Sequence, residues 1–122
     1  MRMRRSRMQQ IYLKNKVVEK DEEGSPVITY KNAKPVKGEV WPASGKLQVA
    51  QYGNRINYIK NCKIEGKYKI IEQEGKIIYQ FNGFSLCEGD GICLDSGREK
   101  DPDYQIISIK PYQPIYMEVE KI

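Results

Sequence analysis

The residues best suited to chemistry are a group of carboxylates in the second half of the chain. These carboxylates are Glu88, Asp90, Asp95, Glu99, Asp101 and Asp103. A cluster of this kind could bind Ca²⁺ or Mg²⁺, but its spacing lacks the regular ligand alternation of a calcium loop. Gly-Asp-Gly and Asp-Pro-Asp sequences are also what tight turns require. The spacing therefore favours turns over a metal site, and we expect neither a metal nor a cofactor.

Other catalytic arrangements are restricted by the composition. The chain contains no histidine, which excludes Ser-His and Cys-His nucleophile pairs. Its three cysteines, Cys62, Cys87 and Cys93, have no CxxC spacing, and a zinc site would need a carboxylate as fourth ligand. Neither a GxxxxGK[ST] phosphate loop nor a GxGxxG motif is present. We predict reduced thiols, no catalytic residues and no enzymatic activity.

Positive charge is concentrated at the start of the chain. Residues 1–20 hold seven of the 21 Lys and Arg residues and one of the 16 acids, which leaves residues 21–122 with fourteen bases against fifteen acids. Residues 1–7 therefore form a basic arm that could contact phosphates or an acidic protein surface, although a frayed, solvated terminus fits equally well. The arginines of this arm are Arg2, Arg4, Arg5 and Arg7.

The sequence has no apolar stretch near the eighteen or so residues that a membrane helix needs. The arginine-rich start is not followed by the apolar segment of a secretory signal peptide. We therefore expect a soluble protein made in the cytoplasm, without a membrane partner.

The acidic cluster lies within residues 88–112, and the sequence of this segment predicts two strands on either side of a polar loop. Ile92 and Leu94 follow one turn, and alternation from Tyr104 to Ile109 precedes Pro111. Because an isolated two-stranded hairpin is marginal in water, other strands must cover its apolar face.

Several further segments predict those strands. Residues 8–19 read as a first strand before a turn at 21–26, and residues 27–41 as two short strands or one interrupted by Pro35. Residues 67–81 predict a hairpin around Glu74-Gly75, and residues 115–122 alternate as a half-buried closing strand.

Between the second and third strands, Ser44 could cap one helical turn over residues 46–51. Residues 55–64 then read as a strand, although their spacing also suits a short helix. Together these features predict an all-β protein, a small single-domain β-barrel or compact sandwich with long loops and at most one short helix. The domain would span residues 8–122 and carry the arm 1–7.

Nine tyrosines and many lysines leave open a barrel that stacks nucleic acid bases. Five of the tyrosines fall in strand patterns, where tyrosine is a favoured residue in any case, so structural roles are favoured. These five are Tyr58, Tyr68, Tyr79, Tyr104 and Tyr116.

Four strings, in this order, carry a resemblance to a known family. They are VWPASGKLQ at residues 40–48, YGNRINY at 52–58, EGDGICL at 88–94 and PDYQIISIKPY at 102–112. Together they resemble the small head-closure proteins, also called stopper or head-tail joining proteins, of tailed phages and prophages of Gram-positive bacteria. The similarity runs from about residue 36 to residue 121.

The resemblance implies a β-barrel subunit that forms a homo-oligomeric ring in the virion neck. Such a ring would bind the portal and adaptor complex on one side and the tail terminator or tail tube on the other, and would retain packaged DNA. Residues 42–54 are then our candidate for a segment facing the lumen or a neighbouring subunit, with a plain surface loop as the alternative. The candidate contact residues are Trp41, Pro42, Ser44, Gly45, Lys46, Leu47, Gln48, Tyr52 and Arg55.

In such a ring the basic arm would clasp a neighbouring subunit or the adaptor, or would face DNA. A protein contact is favoured, because a channel that DNA must traverse gains nothing from tight phosphate binding. Alternative functions are another part of the neck, such as an adaptor or tail terminator, and a nucleic-acid-binding barrel, for which affinity would fall steeply with salt.

Overall fold

The computed structural model describes residues 8–97 and 99–122, so the basic arm 1–7 lies outside the described residues. Nine strands form a closed antiparallel barrel, in the order β1-β2-β3-β9-β8-β7, and a small sheet, β4-β5-β6. The prediction of a small all-β barrel with one short helix is confirmed. The elements are β1 Met8–Lys20, β2 Pro26–Pro42, α1 Lys46–Tyr52, a 3-10 helix Gly53–Tyr58, β3 Ile59–Ile64, β4 Tyr68–Gln73, β5 Lys76–Phe81, β6 Ser85–Leu86, β7 Gly91–Cys93, β8 Tyr104–Lys110 and β9 Ile115–Lys121.

The barrel interior is filled by alternate residues of its strands. On β9, Ile115, Met117 and Val119 are buried as the alternation predicts, and they pack with apolar residues of β1, β3 and β8. The small sheet joins the same core through Tyr79, Phe81 and Leu86. Further apolar core residues are Ile11, Leu13, Cys62, Ile64, Ile92, Leu94, Tyr104, Ile106 and Ile109.

β1 and β2 are longer than the barrel needs. β1 pairs with β7 only over residues 12–14, and β2 pairs with β3 only over residues 38–42. The ends of the two strands next to their shared turn, residues 15–20 and 26–31, form a two-stranded ribbon beyond the barrel. Residues 27–41 thus lie in one continuous strand, and Pro35 is tolerated because β2 is an edge strand at that point.

The predicted hairpins are present. β4 and β5 pair around the Glu74-Gly75 turn, where both residues have positive φ (53° and 78°). β7 and β8 are neighbours in the barrel, as the pattern of residues 88–112 predicts.

The connection from β2 to β3 departs from two predictions. The prediction of a strand over residues 55–64 is wrong in its first half, because residues 53–58 form a 3-10 helix and β3 begins at Ile59. Ser44 does not cap α1, since Gly45, with φ 92°, occupies the N-cap without a side-chain hydrogen bond. The Ser44 backbone N–H instead donates to Gln48 Oε1 at 3.0 Å. Because Gly45 is the N-cap residue, Ser44 lies one position before the point from which a side chain can cap α1.

Candidate functional site

The helix α1 attaches to the barrel through polar side chains. No residue of α1 is buried. Gln48 and Tyr52, one helical turn apart and so on one face, point towards Glu118 on β9. This arrangement reverses the usual amphipathic pattern, in which the apolar face of a helix packs against the core.

Glu118 is the centre of this attachment. Its neighbours Met117 and Val119 fill the barrel, so Glu118 lies on the outer wall, yet it is only 1% exposed. Gln48 Nε2 donates to its Oε2 at 2.8 Å, and Lys110 Nζ lies 3.5 Å from its Oε1. Burial alone would raise the pKa of Glu118, but these donors and the Tyr52 hydroxyl lower it below the ordinary value. Glu118 is therefore an ionised, buried anchor.

A second set of bonds extends the anchor to β3. Asn61, which lies opposite Glu118 in the β3–β9 register, exchanges hydrogen bonds with Gln48 at 2.7 and 3.2 Å. The Tyr116 hydroxyl donates to the same Asn61 oxygen. Among the described residues no buried side-chain polar atom lacks a partner. The network is thus fully satisfied and fixes α1 in one position.

The 3-10 helix is held by an ion pair at the edge of this network. Arg55 donates two hydrogen bonds to Glu120, at 2.7 and 2.8 Å. Burial, together with donation to Glu118, raises the pKa of Tyr52 to about 12, so Tyr52 stays a neutral donor at any ordinary pH.

The exposed surface of α1 mixes polar and apolar side chains. Leu47 is 86% exposed and Val49 is exposed on the opposite flank of the helix, and Lys46, Ala50 and Gln51 are exposed as well. Between α1 and the β8–β9 region lies a cleft of about 710 Å³ whose walls include Leu47, Ala50, Tyr112 and Tyr116.

The candidate residues of the β2–β3 segment therefore divide into two groups. Gln48, Tyr52 and Arg55 face the barrel wall and hold the segment in place. Trp41 joins that wall, since its ring lies 5.9 Å from that of Tyr116. The remaining candidates are exposed to solvent: Pro42, Ser44, Gly45, Lys46 and Leu47.

Two further apolar surfaces were not found by sequence reasoning. On the ribbon, Val18, Val27 and Ile28 are exposed, and on the β4–β5 hairpin Ile70, Ile71 and Ile77 are exposed. The available signal was the pair Ile70-Ile71, because adjacent apolar residues on a strand point to opposite faces and one of them must leave the core.

Carboxylates of the acidic cluster accept hydrogen bonds from backbone N–H groups, in the turn before β7 and across the β7–β8 loop. Asp90 accepts hydrogen bonds from the backbone N–H groups of Lys16 and Cys87, both at 2.9 Å, and from Asn15 at 3.1 Å. Burial nevertheless raises its pKa, against the opposing effect of these donors. Asp103 accepts the N–H groups that follow β7, from Leu94 and Asp95, both at 2.8 Å.

Metal ligands and membrane helices were also considered. In the described ranges, no group of three or more Cys, Asp and Glu residues is placed to hold a metal ion. No helix among the described residues has the length and apolar character to cross a membrane.

Most tyrosines contribute to packing. Tyr79 and Tyr104 are buried, and the Tyr68 hydroxyl donates to the Tyr112 carbonyl at 2.7 Å. Tyr58 and Tyr112 expose large surfaces but lie on separate elements.

Comparisons with known proteins give no relative. The chain matches no family model, no curated protein and no solved structure.

Proposed function

We propose that this protein is a structural, ring-forming component of a phage neck. In this role it closes the head after DNA packaging and joins the portal and adaptor complex to the tail. The proposal starts from the resemblance of four ordered sequence strings to head-closure proteins. It is compatible with the fold, because a closed barrel is a self-contained unit from which contact elements can project.

The observation that carries the proposal is the location of the exposed apolar side chains. They occupy three separate surface elements instead of lining one enclosed cavity. Exposed apolar patches of this kind commonly mark protein contacts, and a ring built from identical subunits needs two different patches on each copy. The residues are Val18, Val27 and Ile28 on the ribbon, Leu47 and Val49 on α1, and Ile70, Ile71 and Ile77 on the β4–β5 hairpin.

The anchored helix fits the same role. A loop that only connects two strands does not require a buried carboxylate and a satisfied polar network beneath it. Here the network of Gln48, Asn61 and Glu118 holds Leu47 in a fixed outward position. Fixing a contact residue before assembly lowers the entropy lost on binding. We therefore assign residues 42–54 to a contact with a neighbouring subunit or with the lumen of the ring.

Electron microscopy of particles made without this gene tests the proposal. Full heads that lose their DNA, accompanied by free finished tails, are expected. Normally joined particles would exclude a neck role. Binding of the purified protein to DNA with a steep salt dependence, together with normal particles, would instead support the nucleic-acid-binding alternative.

The basic arm is tested separately. Removal of residues 1–7 should weaken docking onto the adaptor ring and leave the circular dichroism spectrum of the barrel unchanged. Docking at the wild-type level by the truncated protein would exclude the arm from that contact.

A further inference from the structure

One strand edge that could accept another strand belongs to the ribbon. On the side of β1 away from β2, the pairing with β7 ends at Lys14. On that side the Lys16 N–H donates to Asp90 at 2.9 Å. Because backbone groups alternate in direction along an antiparallel strand, those of Val18 and Lys20 point the same way. Within the described residues no strand pairs with this part of β1. Asn15 and Lys16 already bond Ser85 and Asp90 of the same chain, so the open backbone groups of this edge begin at Val18, which borders a cleft shared with Lys76 and Ile78.

The second edge belongs to β4. The two-residue Glu74-Gly75 turn places the Gln73 carbonyl towards the Lys76 N–H, so the backbone groups of Gln73 face β5. By the same alternation, those of Ile70 and Glu72 point away from β5. In the part of the chain that the structure describes, no strand lies on this outer side.

β4 differs from the other two long edges, which carry lysines. These are Lys31, Lys34 and Lys37, with Pro35, on β2 and Lys16 and Lys20 on the β1 ribbon, and lysine and proline are residue types that block unwanted strand pairing. β4 instead has Ile70-Ile71 at its centre, and Ile70 is 58% exposed. An unprotected, apolar edge strand is a site of pairing with another chain.

The outer edges of β4 and of the β1 ribbon match each other in sequence. With Ile70 placed opposite Val18 in an antiparallel register, both residues present outward backbone groups. The same register sets Lys69 opposite Glu19. It also sets Glu72 opposite Lys16, where only the side chains would pair because the Lys16 N–H is held by Asp90. Opposite charges directly across a strand pair are stabilising.

The apolar side chains also align in this register. Val18 lies opposite Ile28 in its own ribbon, and Ile70 lies opposite Tyr79 in its own hairpin. Pairing would join these into one apolar row across four strands. On the other face, Ile71 would lie opposite Val17.

We propose that copies of this chain associate by strand pairing, with the outer edge of β4 in one copy added antiparallel to the ribbon edge of β1 in the next. The inference deepens the proposed function, on which it rests, because it names the contact that joins the ring subunits. The two edges lie on different elements, so the contact is heterologous. It repeats from copy to copy and forms a ring where the rotation closes.

Disulfide trapping tests the contact and its register. Glu19→Cys and Lys69→Cys are made in separate chains, each with Cys87→Ser to remove the one native thiol that is not buried. These positions would form a non-hydrogen-bonded pair with Cα atoms about 4.5 Å apart, within disulfide range. Mild oxidation of the mixture should give a covalent dimer, and each variant alone should not. A chain carrying both cysteines should give a ladder of multimers.

The matched control replaces Lys69→Cys by Ile77→Cys. Ile77 is exposed on the same hairpin but lies on β5, one strand further from the proposed contact. The proposal would be overturned if Glu19→Cys cross-linked to Lys69→Cys no more than to Ile77→Cys, both in purified protein and in assembled particles.

Charge reversal provides a second measurement. Glu19→Lys or Lys69→Glu alone should weaken self-association in sedimentation by about three- to tenfold, and the two together in one chain should restore it. Because Glu19 also pairs with Lys31 of its own chain at 2.8 Å, Lys31→Ala is the control and should have little effect. A double variant no stronger than the single variants would count against this register.

The outcomes separate this inference from the proposed function. Cross-linking at the expected pair together with normal particles from the gene deletion would retain strand pairing and reject the neck role. Open heads from the deletion, without cross-linking in particles carrying both cysteines, would retain the neck role and reject strand pairing.

Discussion

Replacing Gln48 by alanine should release α1 from the barrel and destabilise the fold. The amide of Gln48 donates to the ionised Glu118 at 2.8 Å and to Asn61 at 2.7 Å. A hydrogen bond to a charged group contributes about 1.5–3 kcal/mol, and a neutral one about 0.5–1.5 kcal/mol. Alanine recovers a few tenths of a kcal/mol (~0.4) through its helix propensity. We expect a net loss of roughly 2–4 kcal/mol, which for a chain of this size is about 8–16 °C in Tm.

The assay is thermal and urea denaturation, compared with Gln51→Ala. Gln51 lies on the same helix but is exposed and makes no side-chain hydrogen bond to Glu118. Its replacement should change stability by less than about 0.5 kcal/mol. Amide hydrogen exchange in residues 46–52 should accelerate in the Gln48 variant alone. Equal losses of stability in the two variants would refute the anchoring role of Gln48.

The same network predicts a pH dependence. The pKa of Glu118 is lower in the folded chain than its ordinary value of 4.5. A carboxyl group with a lowered folded pKa stabilises the fold above its unfolded pKa, and this stabilisation is lost as pH falls through the folded pKa. The difference between wild type and Gln48→Ala should therefore be largest near neutral pH and shrink below pH 4.5. A difference that is constant down to acid denaturation would mean that Glu118 is not the charged partner.

Three further predictions concern the turns and thiols. Gly91→Ala should destabilise the fold strongly in urea unfolding, by about 3 kcal/mol or more, because its Cβ would lie 2.4 Å from a ring carbon of Pro102. Gly97→Ala is the control and should be neutral, because a Cβ there meets nothing within 4 Å. Asp90→Asn should cost about 2–3 kcal/mol in the same assay, since an amide nitrogen would face hydrogen-bond donors, and a neutral result would contradict the turn role of that carboxylate. A thiol reagent at pH 8 should label Cys87 slowly and spare Cys62, because burial raises the pKa of Cys62 to about 12. Denaturant should make all three cysteines reactive. Rapid labelling of Cys62 in the native protein would contradict its burial.

The sequence by itself determined the class of fold and most of the strands. Alternation at Ile115, Met117 and Val119 and the Glu74-Gly75 turn are local signals, and local geometry is sufficient to read them. The turn role favoured for the acidic cluster has the same origin, because turn residues bond backbone groups close by in sequence, as Asp90 does with Cys87.

The tertiary structure alone decided how the candidate segment is held and where the other contact surfaces lie. Gln48 and Glu118 are 70 residues apart, and no spacing rule connects them. Glu118 reads in the sequence as a solvent-facing residue of an alternating strand, and it is buried only because α1 folds over that face. The exposure of Ile70 and Val18 likewise depends on strands extending beyond the barrel, which pairing partners distant in sequence determine. Local pattern assigns a residue to a face, but whether that face is covered depends on the rest of the chain.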